Sequence, residues 1–377
     1  MVDKKIIQSK NVKRFYVPRI LVIYFSDSDL SIFQDFSRNA FEYANFAQIG
    51  SSNPFLYQKS ANHFNGKFYS WIQTKKHESR IMKPSTFFRS QQGIELMNQI
   101  KDMDIAVLVY KSSRLTNLEY VAELIQMLDK NDVFTFHFVL ENFIQPLDTR
   151  EIYEKMIKSL KRKRQLYIPI QEEVIVSTYK NATISTRNYY ANLYINNLID
   201  LFISPFLDPK RNPDAFSKTK ALFYKTKRNF ETKIVTSIGY SEDPVDNAEL
   251  ALIQALSSPM FAAAFEASNT FIVSVKMPYF TEEAMNKLET ILKLVVGEWK
   301  QFYILTYTGR FDFAKYCQVS IMAINVDESK LIKDADEIQQ SIKKILINVQ
   351  KSKNLFDSKK TQEFLLNKES KIDALEG

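Results

Sequence analysis

Apolar and polar positions in the first half of the chain follow two alternating spacings. Residues 19–25 and 104–110 are continuous apolar runs bounded by polar residues, a pattern typical of strands buried in a parallel sheet. Segments 85–102 and 117–130 repeat apolar residues every three or four positions, which predicts amphipathic helices. Because the two patterns alternate, the sequence predicts an α/β domain whose parallel sheet carries helices on both faces.

The same patterns predict the remaining elements of this half. They are a helix over 30–43, a strand over 133–141, a helix over 148–164, a strand over 165–170 and a long helix over 185–202. Asp148 or Thr149 is the predicted N-cap of the helix over 148–164, because a short polar side chain there accepts a backbone N–H. Residues 44–83 are polar and aromatic, show no clear period and predict no element.

A second unit begins near residue 231. Residues 204–217 before it contain three prolines and are typical of a loop. Beyond it the pattern predicts strand, helix, strand, helix and two strands, which form a smaller α+β domain. The chain then divides into an N-terminal extension (1–18), an α/β domain (19–184), a central helix with the loop after it (185–230), the α+β domain (231–328) and a charged tail (329–377) with a helix over 335–350.

Glycine is the residue whose count changes this picture most. The 377 residues include 7 glycines, where average usage would give about 26. Phosphate loops such as GxGxxG and GxxxxGK need glycine, because backbone amides must approach phosphate without a Cβ in the way. Neither pattern occurs, so the sequence excludes the familiar glycine-rich phosphate loops.

Charge and reactive residues add few candidates. Net charge is +8, and basic clusters at 154–166 and 208–230 are either solvated helix faces or surfaces for an acidic protein, anionic lipid or nucleic acid. They lack the interleaved aromatic residues that favour nucleic-acid binding. The three histidines are scattered, so no metal or catalytic group is predicted, and His137 within an apolar strand is typical of a satisfied core or edge histidine.

A cytoplasmic location is expected. Cys317 is the one cysteine, which excludes an internal disulfide and fits a reducing compartment, and its strand-like surroundings are typical of a core residue. Residues 1–15 are basic without an apolar run, so no signal peptide is predicted. The longest apolar runs are shorter than the ~18 residues that a membrane span needs.

The order of these elements is similar to that of FtsZ, the bacterial tubulin homologue. Four segments carry the resemblance in the second unit: SSP at 257–259, FIVSV at 271–275, TEEAMNKLETI at 281–291 and CQVSIMAINVD at 317–327. With the elements of the first half in the same order, the resemblance covers roughly residues 19–327. It implies a Rossmann-like GTPase-type domain, a long central helix and a smaller α+β domain. It also implies head-to-tail filaments with GTP between subunits, where a loop with the pattern NxDxxD positions the hydrolytic water.

The phosphate loops that the resemblance implies have lost their glycines. The first becomes SDSDL at 26–30, where Asp27 and Asp29 would repel a polyanion and are expected to cap the next helix. The signature GGGTGTG becomes the shorter KSSRLTN at 111–117. In the long helix Asn188 matches an Asn of the family, but Tyr189 replaces the acid beside it. The remaining nucleotide-binding candidates are Ser26, Ser28, Lys111, Ser112, Ser113, Thr116 and Asn188.

The catalytic loop departs as well. An ungapped match anchored on Pro205 places Pro209 at the Asn of NxDxxD, Arg211 at the first Asp and Asp214 at the second. A guanidinium stays protonated and cannot act as a base. Asp214 is therefore the remaining catalytic candidate, and its alternative role is to cap the following helix.

The resemblance implies a cytoskeletal protein of cell division or cell shape, in the cytoplasm and at the division site. It would bind copies of itself or FtsZ-like subunits head to tail. Because the chemical positions are lost, we expect no bound cofactor and no GTP hydrolysis. The alternatives are a remodelled pocket that binds GTP and magnesium and hydrolyses GTP, and a module of DNA segregation.

The tail contains a segment similar to the FtsZ peptide that binds membrane adaptors. In KTQEFLLNKES at 360–370, an apolar group is followed by a basic residue, although the proline of the family is absent. The segment is either an adaptor-binding motif or a frayed amphipathic helix. The residues of the predicted motif are Phe364, Leu365, Leu366 and Lys368.

Overall fold

Two sheets organise the part of the chain that the structure, a computed structural model, describes. The described residues are 17–26, 44–50, 68–72, 83–141, 146–171, 184–208, 211–224, 233–241, 248–277, 279–297, 299–308, 317–351, 361–365 and 367. The predicted helix over 30–43, and with it the proposed caps Asp27 and Asp29, lies outside them.

The N-terminal sheet has six strands, all parallel, in the order β3-β2-β1-β4-β5-β6. Its strands are β1 (Ile20–Ser26), β2 (Ala44–Gly50), β3 (Phe68–Ile72), β4 (Ile105–Lys111), β5 (Phe134–Glu141) and β6 (Leu166–Gln171). Every residue of β4 is buried, because the sheet is covered on both faces. The predicted strands are confirmed, and β2 and β3 add two strands in the segment that showed no period.

Helices cover both faces of this sheet. They are α1 (Pro84–Phe87), α2 (Gln91–Lys101), α3 (Leu115–Lys130), α4 (Leu147–Lys163) and α5 (Ile184–Ile203). Helices α2, α3 and α4 share one buried cluster with residues of β1 and β4 such as Ile23 and Leu108. The opposite face packs against α5, through Leu198 and Phe202 among others. The predicted α/β layering is confirmed.

Two local predictions in these helices are wrong. The segment 85–102 forms two helices rather than one, and Ser90 caps the second by accepting the N–H of Gly93 at 3.2 Å. The helix predicted over 148–164 begins one residue earlier, with Pro146 at the N-cap and no side-chain cap. Proline fixes the extended backbone of this position, so neither Asp148 nor Thr149 is the N-cap.

The C-terminal sheet has four strands in the order β7-β10-β8-β9. A 3-10 turn (Ser204–Leu207) and α6 (Ala215–Tyr224) lead from α5 to this sheet. Its strands are β7 (Val235–Ser241), β8 (Thr270–Met277), β9 (Gln301–Thr308) and β10 (Cys317–Ile324). β10 pairs antiparallel with β7 and β8, whereas β9 pairs parallel with β8 and forms an outer edge of the sheet.

The two faces of this sheet have different neighbours. One face packs against α7 (Ala248–Leu256), α8 (Pro259–Ala264), α9 (Glu282–Val296) and α10 (Ala335–Gln350). The other face joins the core around α5 through Ile272, Leu305 and Met322. Cys317 is buried in the sheet, where burial raises the pKa of its thiol to about 12, so the predicted core role is confirmed.

Helix α5 is joined to the C-terminal sheet by a buried ion pair. Lys276 Nζ on β8 lies 2.6 Å from Asp200 Oδ2, and the hydroxyl of Ser204 donates to Asp200 Oδ1 at 2.6 Å. Asn197 Nδ2 donates to the hydroxyl of Tyr240 on β7 at 3.0 Å. Hydrogen-bonded charges of this kind fix two surfaces in one relative position, because separating them leaves a buried charge unpaired.

The close approach of α7 to β7 generates a stability prediction. A Cβ on Gly239 would lie 1.8 Å from the backbone oxygen of Ala251, so helix and strand must separate to admit it. Gly239→Ala is therefore expected to lower the free energy of unfolding by about 2–3 kcal/mol, measured by chemical denaturation. The control Glu289→Ala removes a half-exposed side chain and its surface ion pair with Lys293, and should change it by less than about 0.5 kcal/mol. Equal stabilities for the two variants would contradict this packing.

Candidate functional site

The segment of residues 111–114, here the upper loop, begins with Lys111, the last residue of β4, at the carboxyl edge of the N-terminal sheet. Lys111 and Ser112 are buried within it. The backbone N–H of Ser112 donates to the carbonyl of Leu140 on β5 at 3.0 Å, and the Ser112 hydroxyl donates to the same oxygen at 3.3 Å. The ladder between β4 and β5 thus uses an amide that a phosphate-binding loop would offer to its ligand.

Helix α3 begins directly after the upper loop. Arg114 occupies the N-cap position, and its side chain makes no capping hydrogen bond. Asn117 in the first turn is only 7% exposed, and its Nδ2 has no hydrogen-bond partner among the described residues. The first turn of a helix presents free N–H groups and partial positive charge, so this position favours an anion over a cation.

A buried hydrogen-bond network lies beneath the upper loop. Gln165 Nε2 donates to the carbonyl of Ile125 at 2.9 Å, so its Oε1 accepts from His137 Nε2 at 2.9 Å. His137 Nδ1 is then the acceptor for the Tyr110 hydroxyl at 3.3 Å. Burial lowers the pKa of His137 to about 4 and holds the pKa of Tyr110 well above its ordinary value. The predicted role of a satisfied core histidine is confirmed.

A second loop, here the lower loop (Asp208 and residues 211–214), lies at the opposite end of the domain. The helix that follows it, α6, packs against the amino edge of the N-terminal sheet. Phe216 of α6 lies 6.1 Å from Phe134, the first residue of β5, between ring centroids. Lys220 of α6 lies 3.5 Å from Asp132, just before β5. Because the upper loop is at the carboxyl edge, the two loops face opposite directions.

Asn212 attaches the lower loop to the edge strand β9. Its Nδ2 donates to the carbonyl of Thr306 at 2.6 Å, and its Oδ1 accepts the N–H of Thr306 at 3.0 Å. Nδ2 also donates to the carbonyl of Pro205 at 3.1 Å. The side-chain amide therefore satisfies Thr306 as the backbone of a neighbouring strand would, and it holds the loop on the C-terminal sheet.

Asp214 and Arg211 are exposed charged residues of the lower loop. Asp214 has a left-handed backbone, with φ of 61°, and its carbonyl accepts the N–H of Lys218 at 2.9 Å as α6 begins. Asp214 thus directly precedes α6. Capping this helix was the alternative to a catalytic role for Asp214. Arg211 lies 3.4 Å from Asp208 and 5.2 Å from the centroid of the Phe280 ring.

A different register relates the lower loop to the FtsZ pattern. Residues 212–217 read NPDAFS, which carries the Asn and the first Asp of NxDxxD and has Ser217 at the second. In this register the Asn and the first Asp of the pattern fall on Asn212 and Asp214. In the ungapped match they fall three residues earlier, on Pro209 and Arg211. The signal is present in the sequence, but a match without gaps passes over it and so misses Asn212.

The structure brings together only part of the predicted nucleotide site. Lys111, Ser112 and the partly exposed Ser113 share the upper loop. Asp214 lies at the far end of the same domain. The structure describes only the backbone of three further candidates, Ser26 on β1, Thr116 on α3 and Asn188 on α5. Outside the described residues are Ser28, Leu366 and Lys368.

Part of the predicted tail motif packs on the C-terminal domain. Residues 361–365 are helical, Leu365 is buried in the cluster that α7, α9 and α10 form, and Phe364 is partly buried against it. A protein that binds Leu365 would have to displace this packing. Within the described ranges, no group of His, Cys, Asp and Glu could hold a metal ion, and no helix is long and apolar enough to cross a membrane.

Comparison with solved structures identifies the fold. No protein-family model and no curated protein sequence matches the chain. An empty FtsZ dimer from M. jannaschii matches with a TM-score of 0.63 at 13% identity, over 81% of this chain and 88% of that one. A tryptophan-to-tyrosine mutant of M. jannaschii FtsZ gives 0.60 at 13% identity, over 82% and 92%. CetZ from Methanosaeta thermophila strain DSM 6194 gives 0.54 at 11% identity, over 94% and 98%.

These similarities confirm the predicted fold, an α/β domain of the FtsZ type with a central helix and a smaller α+β domain. They extend over most of this chain and most of each neighbour. At 11–13% identity they concern the fold alone. The predicted domain boundaries and the roles of the predicted site residues remain predictions.

The buried histidine generates a pH prediction. Its pKa is about 4 in the folded chain and ~6.5 when unfolded, so the unfolded state takes up the proton first. The stabilisation by neutral His137 is complete above pH 6.5 and decreases as the pH falls toward 4. Between pH 7.5 and pH 5 it should account for a loss of about 2 kcal/mol in the free energy of unfolding. When unfolding is measured by denaturant at a series of pH values, His137→Gln should not show this pH-dependent loss of free energy. The same pH profile in the wild type and in His137→Gln would contradict the prediction.

The anchoring of the lower loop generates a second prediction. Asn212→Ala removes the partners of the Thr306 N–H and carbonyl, and should lower the free energy of unfolding by about 2–3 kcal/mol. It should also speed hydrogen exchange of the Thr306 amide, because that amide then faces solvent. Ser217→Ala at a nearby exposed position is the control and should alter neither quantity measurably. Unchanged exchange at Thr306 in Asn212→Ala would show that the anchor is unimportant.

Proposed function

We propose that this protein is a cytoskeletal subunit of the FtsZ and tubulin type that assembles head to tail without binding or hydrolysing GTP. The observation that carries the proposal is the placement of the upper and lower loops at opposite ends of one domain. Two ends that differ in this way suit a heterologous contact, in which each subunit adds to the next and the assembly stays open.

The rigidity of the two ends supports assembly. The network of Tyr110, His137 and Gln165 holds the strands beneath the upper loop, and Asn212 ties the lower loop to β9. Loops fixed in this way lose little conformational entropy when a second subunit packs on them. The M. jannaschii neighbour, described as an empty FtsZ dimer, gives a precedent for two subunits of this fold in contact.

The chemistry of the upper loop supports the loss of nucleotide. Its glycines are replaced by side chains, and the amide of Ser112 is committed to the sheet. In the first turn of α6, Ser217 stands at the second acidic position of NxDxxD, and a hydroxyl polarises water less than a carboxylate does. Together these changes remove both the amide cradle and one of the two acids that hydrolysis would use.

The same proposal includes the biological setting that the resemblance implies. The protein would act in cell division or cell shape, in the cytoplasm and at the division site. A membrane-adaptor protein would be a further partner if Phe364 and Leu365 of the tail motif are released from the C-terminal domain.

A second candidate function is a GTP-binding polymer with a remodelled pocket. The unpartnered Nδ2 of Asn117, in the uncapped first turn of α3, favours it because a phosphate oxygen would satisfy both. Lys111 and Arg114 would then supply the charge that the glycine-rich amides supply in FtsZ. Strictly GTP-dependent assembly would favour this candidate over the first.

Electron microscopy of the purified chain tests the proposal. The wild type is expected to form filaments equally with and without GTP and magnesium. Arg211→Glu reverses the charge of an exposed residue on the lower loop and should abolish filaments, because the end contact is changed. Lys293→Glu, a matched charge reversal on the side of α9, should leave them intact. Absence of filaments from the wild type under all conditions would contradict the proposal.

A further inference from the structure

The described part of the tail, residues 361–365, is a short helix with one buried side. Thr361 is fully buried, Leu365 is 5% exposed and Phe364 is partly buried, whereas the two residues that follow Thr361 are exposed. The buried positions are therefore i, i+3 and i+4, which lie on one side of a helix. This is the spacing by which an amphipathic helix fills an apolar groove.

The groove that receives this helix belongs to the C-terminal domain. Leu365 is in the same buried cluster as Val295 of α9 and Val349 of α10, and Phe364 packs against that cluster. Residues 352–360 connect the helix to the end of α10. The tail therefore docks on the domain that it has just left, and its own segment is the occupant of the groove.

The helix of residues 361–365 owes its form to this docking. A helix of five residues is unstable alone, because forming its first turn costs more than its few hydrogen bonds return. Its order therefore depends on the burial of Thr361, Phe364 and Leu365 against the domain. Helix α10, in contrast, has 16 residues and its own buried apolar stripe. The short helix can therefore leave the groove while α10 stays folded.

We propose that the C-terminal domain carries a docking groove for a short amphipathic helix, and that residues 361–365 of the tail are a reversible latch that fills it. In the latched state the groove is occupied, and Phe364 and Leu365 cannot contact another protein. Release exposes the groove and the tail motif together, because the same two side chains serve both. A peptide with the same apolar spacing competes with the latch for the groove.

The latch lowers the affinity of the chain for any protein that binds the tail motif. One segment cannot occupy the groove and a second protein together, so the apparent affinity falls by the fraction of tails that are released. The short connection of residues 352–360 favours the latched state, since it gives the segment an effective concentration on the order of mM at the groove. The groove and the latch do not depend on the proposed function, whereas the consequence for a membrane-adaptor protein rests on it.

Peptide binding to the full chain tests the groove. Leu365→Asp places a charge at the buried position, so it should release the tail and leave the groove open. A fluorescent peptide of residues 358–370 should then bind Leu365→Asp saturably, as measured by fluorescence anisotropy. The wild type should bind this peptide about tenfold more weakly, because its groove is already filled. The same peptide carrying Leu365→Asp should bind neither chain.

The matched control for this experiment is Gln362→Ala, at an exposed position of the same helix. This variant should bind the peptide no better than the wild type does. Equal binding by the wild type and Leu365→Asp, or binding to neither, would overturn the proposal. A Leu365→Asp chain that does not fold, as judged by circular dichroism, would also overturn it, because a latch leaves its domain intact when it opens.

Hydrogen exchange of the wild type tests the latch without a variant. The amides of residues 361–365 should exchange more slowly than those of the isolated peptide, because the helix is docked. They should also exchange about tenfold faster or more than the amides of α10, because the helix opens by itself. Exchange as slow as that of α10 would show a fixed part of the domain, and exchange as fast as that of the peptide would show no docking. Either result would overturn the proposal.

Discussion

The rest of the structure depends on the burial of helix α5 between two sheets. Its apolar residues, among them Leu198 and Phe202, pack on the N-terminal sheet. Its polar residues meet the C-terminal sheet, where Asp200 forms a buried ion pair with Lys276. Breaking such a pair by removing one partner costs about 3–5 kcal/mol, because the other charge stays buried. The helix thus fixes how the two sheets are placed.

This placement determines what the two ends of the molecule present. The chain leaves α5 at the amino edge of the N-terminal sheet, where Asn212 binds the lower loop to β9. The upper loop stays at the carboxyl edge, above a network that no solvent reaches. The two ends therefore differ in shape and chemistry, as the proposed head-to-tail assembly requires.

Much of the fold could be predicted from the sequence, because apolar periodicity records burial. The strand β4, apolar up to its last residue Lys111, and the amphipathic α10 are examples, and the order of elements was enough to suggest FtsZ. Strands β2 and β3 were missed because their residues are polar and aromatic without a clear period. The cap at Pro146 was missed because a proline can end a loop as well as begin a helix. Asn212 was missed because its role depends on Thr306, a contact distant in sequence that no local pattern contains.

We propose that the architecture persists without a triphosphate at the carboxyl edge of the N-terminal sheet. A fluorescent GTP analogue titrated against the purified protein, with magnesium present, would reveal nucleotide binding at this edge. No saturable binding is expected up to about 1 mM, which corresponds to a standard free energy weaker than about −4 kcal/mol. Saturable micromolar binding that unlabelled GTP displaces, and that Asn117→Ala weakens while Lys293→Glu does not, would contradict it.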